Sequence, residues 1–226
     1  MLRNKSSSSS ENGNVFLFIM LGVVLFGALA FIISRGMRSD TTTAMSARKA
    51  ELVAVDVLAF VQRLERSVAK MQRSGVSEND ISFENSFIAG YDHTPPQPDN
   101  HNVFHPTGGA MNWQNPPTHA NDGSPWIFSG RNCIADVGTG ATGCGANSIN
   151  DEELMVILPN MNASVCRAID QKLGISGIVA NAGDNHSAIK FTGSFSDGAE
   201  ITLDGPRSAA CFQMGSYTFY YVLIAR

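Results

Sequence analysis

The chain has 226 residues, 43% hydrophobic and 16% charged, with a formal net charge of −4. Its apolar content is concentrated between Val15 and Ile33, and the remainder is polar and rich in Gly and Asn. Without the first ~35 residues about 190 remain, enough for one domain with a real core; no Lys/Arg cluster marks the C-terminal part, which excludes nucleic acid as an expected partner.

Residues 1–13, "MLRNKSSSSSENG", form a low-complexity polar leader that reads as disordered. Residues 14–35 read as a transmembrane helix, because the apolar run spans about 28 Å as a helix, close to the hydrocarbon thickness of a bilayer. Arg3, Lys5 and the small triplet Ala28-Leu29-Ala30 also fit a signal peptide. That triplet sits inside the apolar run, with Phe31-Ile32-Ile33 continuing beyond it, so the segment is read as retained. Positive charges flank both ends and give no orientation: Arg3 and Lys5 precede the run, and Arg35, Arg38, Arg48 and Lys49 follow it.

Residues 36–75 read as an amphipathic stem helix, with Gly36 as a bend and Gly75 as its stop. Ala50, Val53 or Ala54, Val57, Val61, Leu64, Val68 and Met71 recur three or four residues apart as one apolar stripe. Arg48, Lys49, Gln62, Arg63, Arg66, Lys70 and Arg73 fill the opposite face.

Residues 76–226 are expected to form an extracytoplasmic α+β domain. "DISF" is a short strand candidate, and 90–125, dominated by Pro, Gly, Asn, Asp and His, reads as long surface loops. Strands are expected at 126–130, 133–137, 153–159, 188–195, 199–203 and 217–225, with Asp197-Gly198 as a hairpin turn. One helix intervenes at "NASVCRAIDQKLG", with Asn162 as N-cap and Gly174 just past its end. Helix followed by strands points to α+β with an antiparallel sheet.

Cys133, Cys144, Cys166 and Cys211 all lie in this domain, and four cysteines allow three pairings. The short separation of Cys133 and Cys144 across a Gly-rich loop favours closing that loop, which would leave Cys166 to tie a helix to a late strand through Cys211. Disulfides need an oxidising compartment, so the domain is placed outside the cytoplasm. The spacing lacks the close paired ligands of a structural zinc site.

The layout resembles the type IV pilin and pseudopilin superfamily of bacterial filament proteins. A basic leader ending in Gly13 is followed by one apolar helix at 15–33 and an amphipathic half at 40–74 ahead of a sheet domain. More narrowly, "NVFLFIMLGVVLFGAL", "ISFEN" and "YTFYYVLIAR" resemble uncharacterised alphaproteobacterial proteins of pilin-like layout. The resemblance implies leader cleavage between Gly13 and Asn14 by a prepilin peptidase, and a long helix packed on an antiparallel sheet. It also implies Cys166–Cys211 as the bond that pins the C-terminal region. A single-pass inner-membrane protein with a periplasmic domain follows, or a subunit of an extracellular filament. Phe18, Gly22, Gly27, Ala28 and Ala30 would form the assembly helix, since small residues let backbones approach in lipid. The implied partners are the membrane and either copies of the chain or other pilin-like subunits.

Chemistry-bearing residues are sparse. His93, His101, His105 and His119 gather with Asp92 and Asp99 in the Pro/Asn loop, but the run is not helical and reads as a solvated loop rather than a metal site. Trp113 and Trp126 flank "QNPPTHANDGSP"; indoles beside Asn and Asp can stack on sugar rings, and with His101 and His105 they form the candidate ligand site of a tethered, non-polymerising binding module. Trp126, which opens a strand, reads rather as core. The Gly138–Gly143 run lacks the Lys-Ser/Thr of a phosphate loop, and Asp151-Glu152-Glu153 reads as a solvated charge run rather than a calcium site. There is no G-x-S-x-G elbow and no HExxH. The expectation is a non-enzymatic structural subunit without cofactor or metal.

Overall fold

A computed structural model describes residues 12–138, 144 and 151–226 and, within the first helix, the side chains of 17–27 and 46–73. The leader of residues 1–11 and most of the Gly138–Gly143 run lie outside the described residues. Helix α1 comprises Asn12–Arg73, so the helical backbone already includes Asn12 and Gly13 at the end of the expected leader. The chain divides into two units, Met1–Ala47 and Arg48–Arg226.

The second unit is built on a six-stranded sheet: β1 (Ile127–Ile134), β2 (Glu153–Leu158), β3 (Val179–Ala180), β4 (Ala199–Ile201), β5 (Ala209–Met214) and β6 (Ser216–Ile224), in the order β3-β5-β6-β2-β1-β4. The four inner strands pair antiparallel, whereas each edge strand, β3 on β5 and β4 on β1, pairs parallel. Helix α2 (Ala163–Lys172) lies between β2 and β3 in sequence.

Period-two alternation gives this sheet two apolar faces. Leu154, Val156 and Leu158 of β2 with Phe219 and Leu223 of β6 belong to one cluster; Met155, Ile157, Tyr220 and Val222 belong to the other. The first face is covered by the Arg48–Arg73 part of α1. Its stripe of Ala54, Val57, Phe60, Val61, Leu64, Val68 and Met71 is buried, as the helical spacing of these residues dictates. Phe60 stacks on Trp126 at 4.8 Å between ring centroids. The Tyr221 hydroxyl donates to Glu65 Oε2 at 2.6 Å, tying β6 to the helix at its polar margin.

α2 starts where Asn162 Oδ1 accepts the Ser164 N–H at 3.0 Å and ends before Gly174, whose φ of +78° suits glycine. It is fixed to β5 twice: by the Cys166–Cys211 disulfide, and by Asp170 Oδ1, which accepts the Cys211 N–H at 2.8 Å. Cys133 pairs with Cys144.

The structure corrects several expectations. The sheet is mixed, not antiparallel. The expected strands at 126–130 and 133–137 merge into β1, with a register shift between Ser129 and Asn132. The segment 188–195 forms no strand: Phe191 and Phe195 fold over Gly130, where a Cβ would lie 2.8 Å from the Phe191 ring. Asp197-Gly198 joins no hairpin, because β4 runs parallel to β1. The 90–125 segment is irregular as expected yet not simply surface, since Tyr91, Val103, Met111 and Ala120 are buried in the core. In "DISF", Ser82 makes one isolated bridge to Asn102.

The larger correction concerns the membrane. The transmembrane helix expected at 14–35, and with it the single-pass inner-membrane placement, is not found: among the described residues no helix is long and apolar enough to cross a membrane. The described apolar side chains there run from Leu17 to Gly27, about 16 Å of helix against a hydrocarbon core of about 30 Å. A pilin-like membrane-spanning helix on an antiparallel sheet is therefore not the architecture observed. Ala28 and Ala30 lie outside the residues whose side chains are described.

The Cys166–Cys211 bond spans 45 residues and the Cys133–Cys144 bond 11. Loop-closure entropy then predicts that Cys166→Ala/Cys211→Ala costs about 4 kcal/mol and Cys133→Ala/Cys144→Ala about 3 kcal/mol. Urea unfolding followed by tryptophan fluorescence checks both the magnitudes and their order.

Candidate functional site

The aromatic residues of the loops between α1 and β1, with Phe128 of β1 and Phe191 ahead of β4, sort into two kinds. Phe83, Tyr91, Phe128 and Phe191 form a buried cluster; Phe83 stacks on Phe128 at 4.3 Å, with Tyr91 edge-on to both. The Tyr91 hydroxyl accepts the Phe128 N–H at 3.1 Å and donates to the Trp126 carbonyl at 3.5 Å, so it serves edge groups of β1 as a neighbouring strand would. Burial pushes its pKa up to about 12.

Phe87 and Trp113 stand outside that cluster. Phe87 is 68% exposed, while Trp113 is half-buried and meets Phe104 and Phe128 edge-on. A groove of about 540 Å³ runs beside them, lined by Glu84, Asn85, Asn102, His105 and Asn112 among others. Local side-chain bonds shape its walls. Asn85 Oδ1 accepts the N–H groups of Phe87 and Ile88, and Asn102 Oδ1 accepts that of Phe104. These Asx-type turns explain why an Asn-rich stretch without regular structure is nonetheless held.

Of the residues singled out from sequence, Trp113 and His105 reach this groove. Trp126 does not: it is 1% exposed, with its indole N–H on the Gln114 carbonyl at 3.1 Å. His101 bonds Gln97 at 3.0 Å and is absent from the lining. His93 is buried against Phe191 and does not line the groove; desolvation lowers its pKa and Asp80 partly opposes this. The histidines therefore do not converge, and no group of three or more metal-ligating side chains occurs among the described residues. Phe87 and Glu84 were missed by the sequence reading; the Phe exposed amid Asn and Ser in "ENSF" was their only signal.

The second cluster of unusual groups is internal. Asp151-Glu152-Glu153, read as a solvated charge run, is corrected: Glu152 and Glu153 are 2% and 0% exposed. Glu153 Oε2 accepts the Ile134 N–H at 3.0 Å, just past Asn132–Glu153, the last pair of β1 with β2, and its other oxygen has no partner. Burial lifts its pKa to about 8, and the same cause lifts Asp170 to about 7. Glu153 lies in β2 and Asp170 in α2, and neither lines the groove.

No protein-family model matches this chain, and no curated protein or solved structure matches it.

Because both folded-state pKa values exceed those of the unfolded chain, the folded protein binds extra protons between about pH 4 and pH 8. The stability these two carboxyls contribute is therefore full at the acidic end of this window, declines across it, and is lost once pH has risen through 7 and 8. Thermal melts at intervals across the window should show this decline. Glu153→Gln should flatten the alkaline part of it; an unchanged profile would remove Glu153 as its cause.

Proposed function

We propose that the chain is a non-enzymatic structural subunit that assembles through its N-terminal helix with copies of itself, into a filament or envelope complex of the kind pilins and pseudopilins form. One observation carries this reading. Leu17, Phe18, Ile19, Met20, Leu21, Val23, Val24, Leu25 and Phe26 are all exposed, from 53% to 77%. At 100° per residue these positions cover the whole circumference of a helix, not one stripe. A helix apolar on every side is at home only when surrounded, and contiguous apolar surface of this kind marks an interaction site.

Burying each Leu, Val or Phe contributes about 1.5–3 kcal/mol, so a few neighbours supply a large driving force. Gly22 and Gly27 have nothing within 4 Å of a built Cβ, which leaves room for a second helix to approach there. Beyond this stretch, Leu52 and Val55 are 68% and 46% exposed on the face of α1 opposite the sheet, a further apolar strip for a neighbouring subunit. The two disulfides support maturation in an oxidising environment.

Sedimentation velocity on the full-length chain tests the proposal. The unmodified chain is expected to form large, concentration-dependent species. Leu21→Asp/Phe26→Asp should sediment as a monomer while keeping the near-ultraviolet circular dichroism of Trp113 and Trp126. An unmodified chain that stays monomeric would overturn the reading.

A further inference from the structure

The segment 108–114 separates two depressions on the second unit. On one side lies the aromatic groove of about 540 Å³. The Phe87 ring and the Trp113 indole are nearly parallel there, 8° between planes and 6.3 Å between centroids. The Glu84 carboxylate and the Asn112 carboxamide line the same groove, and neither has a side-chain partner among the described residues. On the other side lies a depression of about 400 Å³ lined by Arg63, Arg66 and Lys70. Arg63 donates to Gln114 Oε1 at 2.6 Å and Lys70 to the Gly108 carbonyl at 3.3 Å. None of the three takes part in an ion pair among the described residues. Met111 and Asn112 line both depressions, which makes them one continuous surface.

We propose that this double groove binds an anionic oligosaccharide, with one pyranose ring on the Phe87–Trp113 platform and a carboxylate or sulfate of a neighbouring residue against Arg63, Arg66 and Lys70. The axial C–H face of a pyranose is apolar and complements the electron-rich face of an aromatic ring. Glu84 accepts hydroxyl hydrogens, and Asn112 both donates and accepts. The guanidinium groups match the planar, forked geometry of a carboxylate. Arg66 and Lys70 stand four residues apart on α1, where like charges repel, so an anion between them relieves an unfavourable arrangement. The platform is prepared in advance, because Asn85 holds the Phe87 backbone and Asn115 Oδ1 accepts the Trp113 indole N–H at 3.0 Å. A neutral sugar would leave the three cations unused. The inference rests on this surface alone and stands apart from the assembly proposal.

Titration calorimetry on the full-length chain tests it, with hexasaccharides of galacturonic acid, of heparin-type sulfated sugar and of neutral cellulose. Tryptophan fluorescence reports on the groove, because Trp126 is buried and Trp113 is half-exposed. At least one anionic hexasaccharide should bind, at least tenfold tighter than the neutral one, and the preference between them identifies the anionic group. Binding should weaken as salt rises from about 50 mM to about 300 mM. Phe87→Ala should weaken binding about tenfold at every salt concentration. Arg66→Gln/Lys70→Gln should weaken it about tenfold at low salt and flatten the salt dependence. All three side chains are exposed and only Lys70 gives up a hydrogen bond, to the Gly108 carbonyl, so thermal melts should shift little. The proposal is overturned if neither anionic hexasaccharide binds, if Phe87→Ala binds like the unmodified chain, or if single-stranded DNA binds as tightly as the better hexasaccharide.

Discussion

The contact on which the second unit depends is that between the apolar stripe of α1 and one face of the sheet. Val57, Val61, Leu64 and Val68 are fully buried, and Phe60 lies flat on Trp126. Valines dominate this stripe and offer few alternative rotamers, so they pack with little entropy to lose. Because the helix covers this face, the loops between residue 76 and β1 are wedged beside it, and their irregular backbone becomes a fixed wall. The groove beside Trp113 exists for that reason. Its platform is braced by Phe128 of β1, which is itself stacked on Phe83.

The same framework tolerates buried carboxyls where they replace missing backbone acceptors. Glu153 answers the Ile134 N–H where β1 runs past its last pair with β2, and Asp170 answers the Cys211 N–H beside a disulfide. Each compensates for an irregularity: the end of the β1–β2 ladder in one case, a helix docked against β5 in the other. Asn132 does similar work with its carboxamide, accepting the Ser187 N–H and donating to the Ser187 carbonyl to secure the loop that precedes β4. Polar groups thus fix the places where the sheet departs from regular pairing.

The readability of the sequence follows from periodicity. The α1 stripe, β2, β6 and α2 with its Asn162 cap carry strong repeating patterns and were readable to within a residue or two. β5 was missed, because "AACFQM" has small residues where a strand normally carries branched ones. "AIKFTGSF" carried aromatic residues that pack across β1, to which the segment makes a single backbone bond, Phe191 N–H to the Phe128 carbonyl, and no ladder. The parallel edges were invisible, since pairing direction depends on long connections, not local pattern. At the groove, Trp113 was legible as an indole among Asn and Pro. Phe87 was not, because polar neighbours in "ENSF" are too weak a signal to separate an exposed Phe from a core one. Glu152 and Glu153 misled for the converse reason: acidic residues in a row read as solvated, and only tertiary burial made them otherwise. The extended apolar run was legible as composition, but the described part of it is too short to support a membrane span.

α1 therefore carries two contrasting apolar surfaces, a stripe satisfied within the chain and an all-round collar at Leu17–Phe26 that the described structure leaves uncovered. Hydrogen exchange read by mass spectrometry on peptides covering 17–27 and 50–71, across a concentration series, tests this contrast most directly. The account predicts that 50–71 is protected at every concentration, while exchange in 17–27 slows as the chain is concentrated. Concentration-independent exchange in 17–27, or rapid exchange in 50–71 in dilute solution, would contradict it.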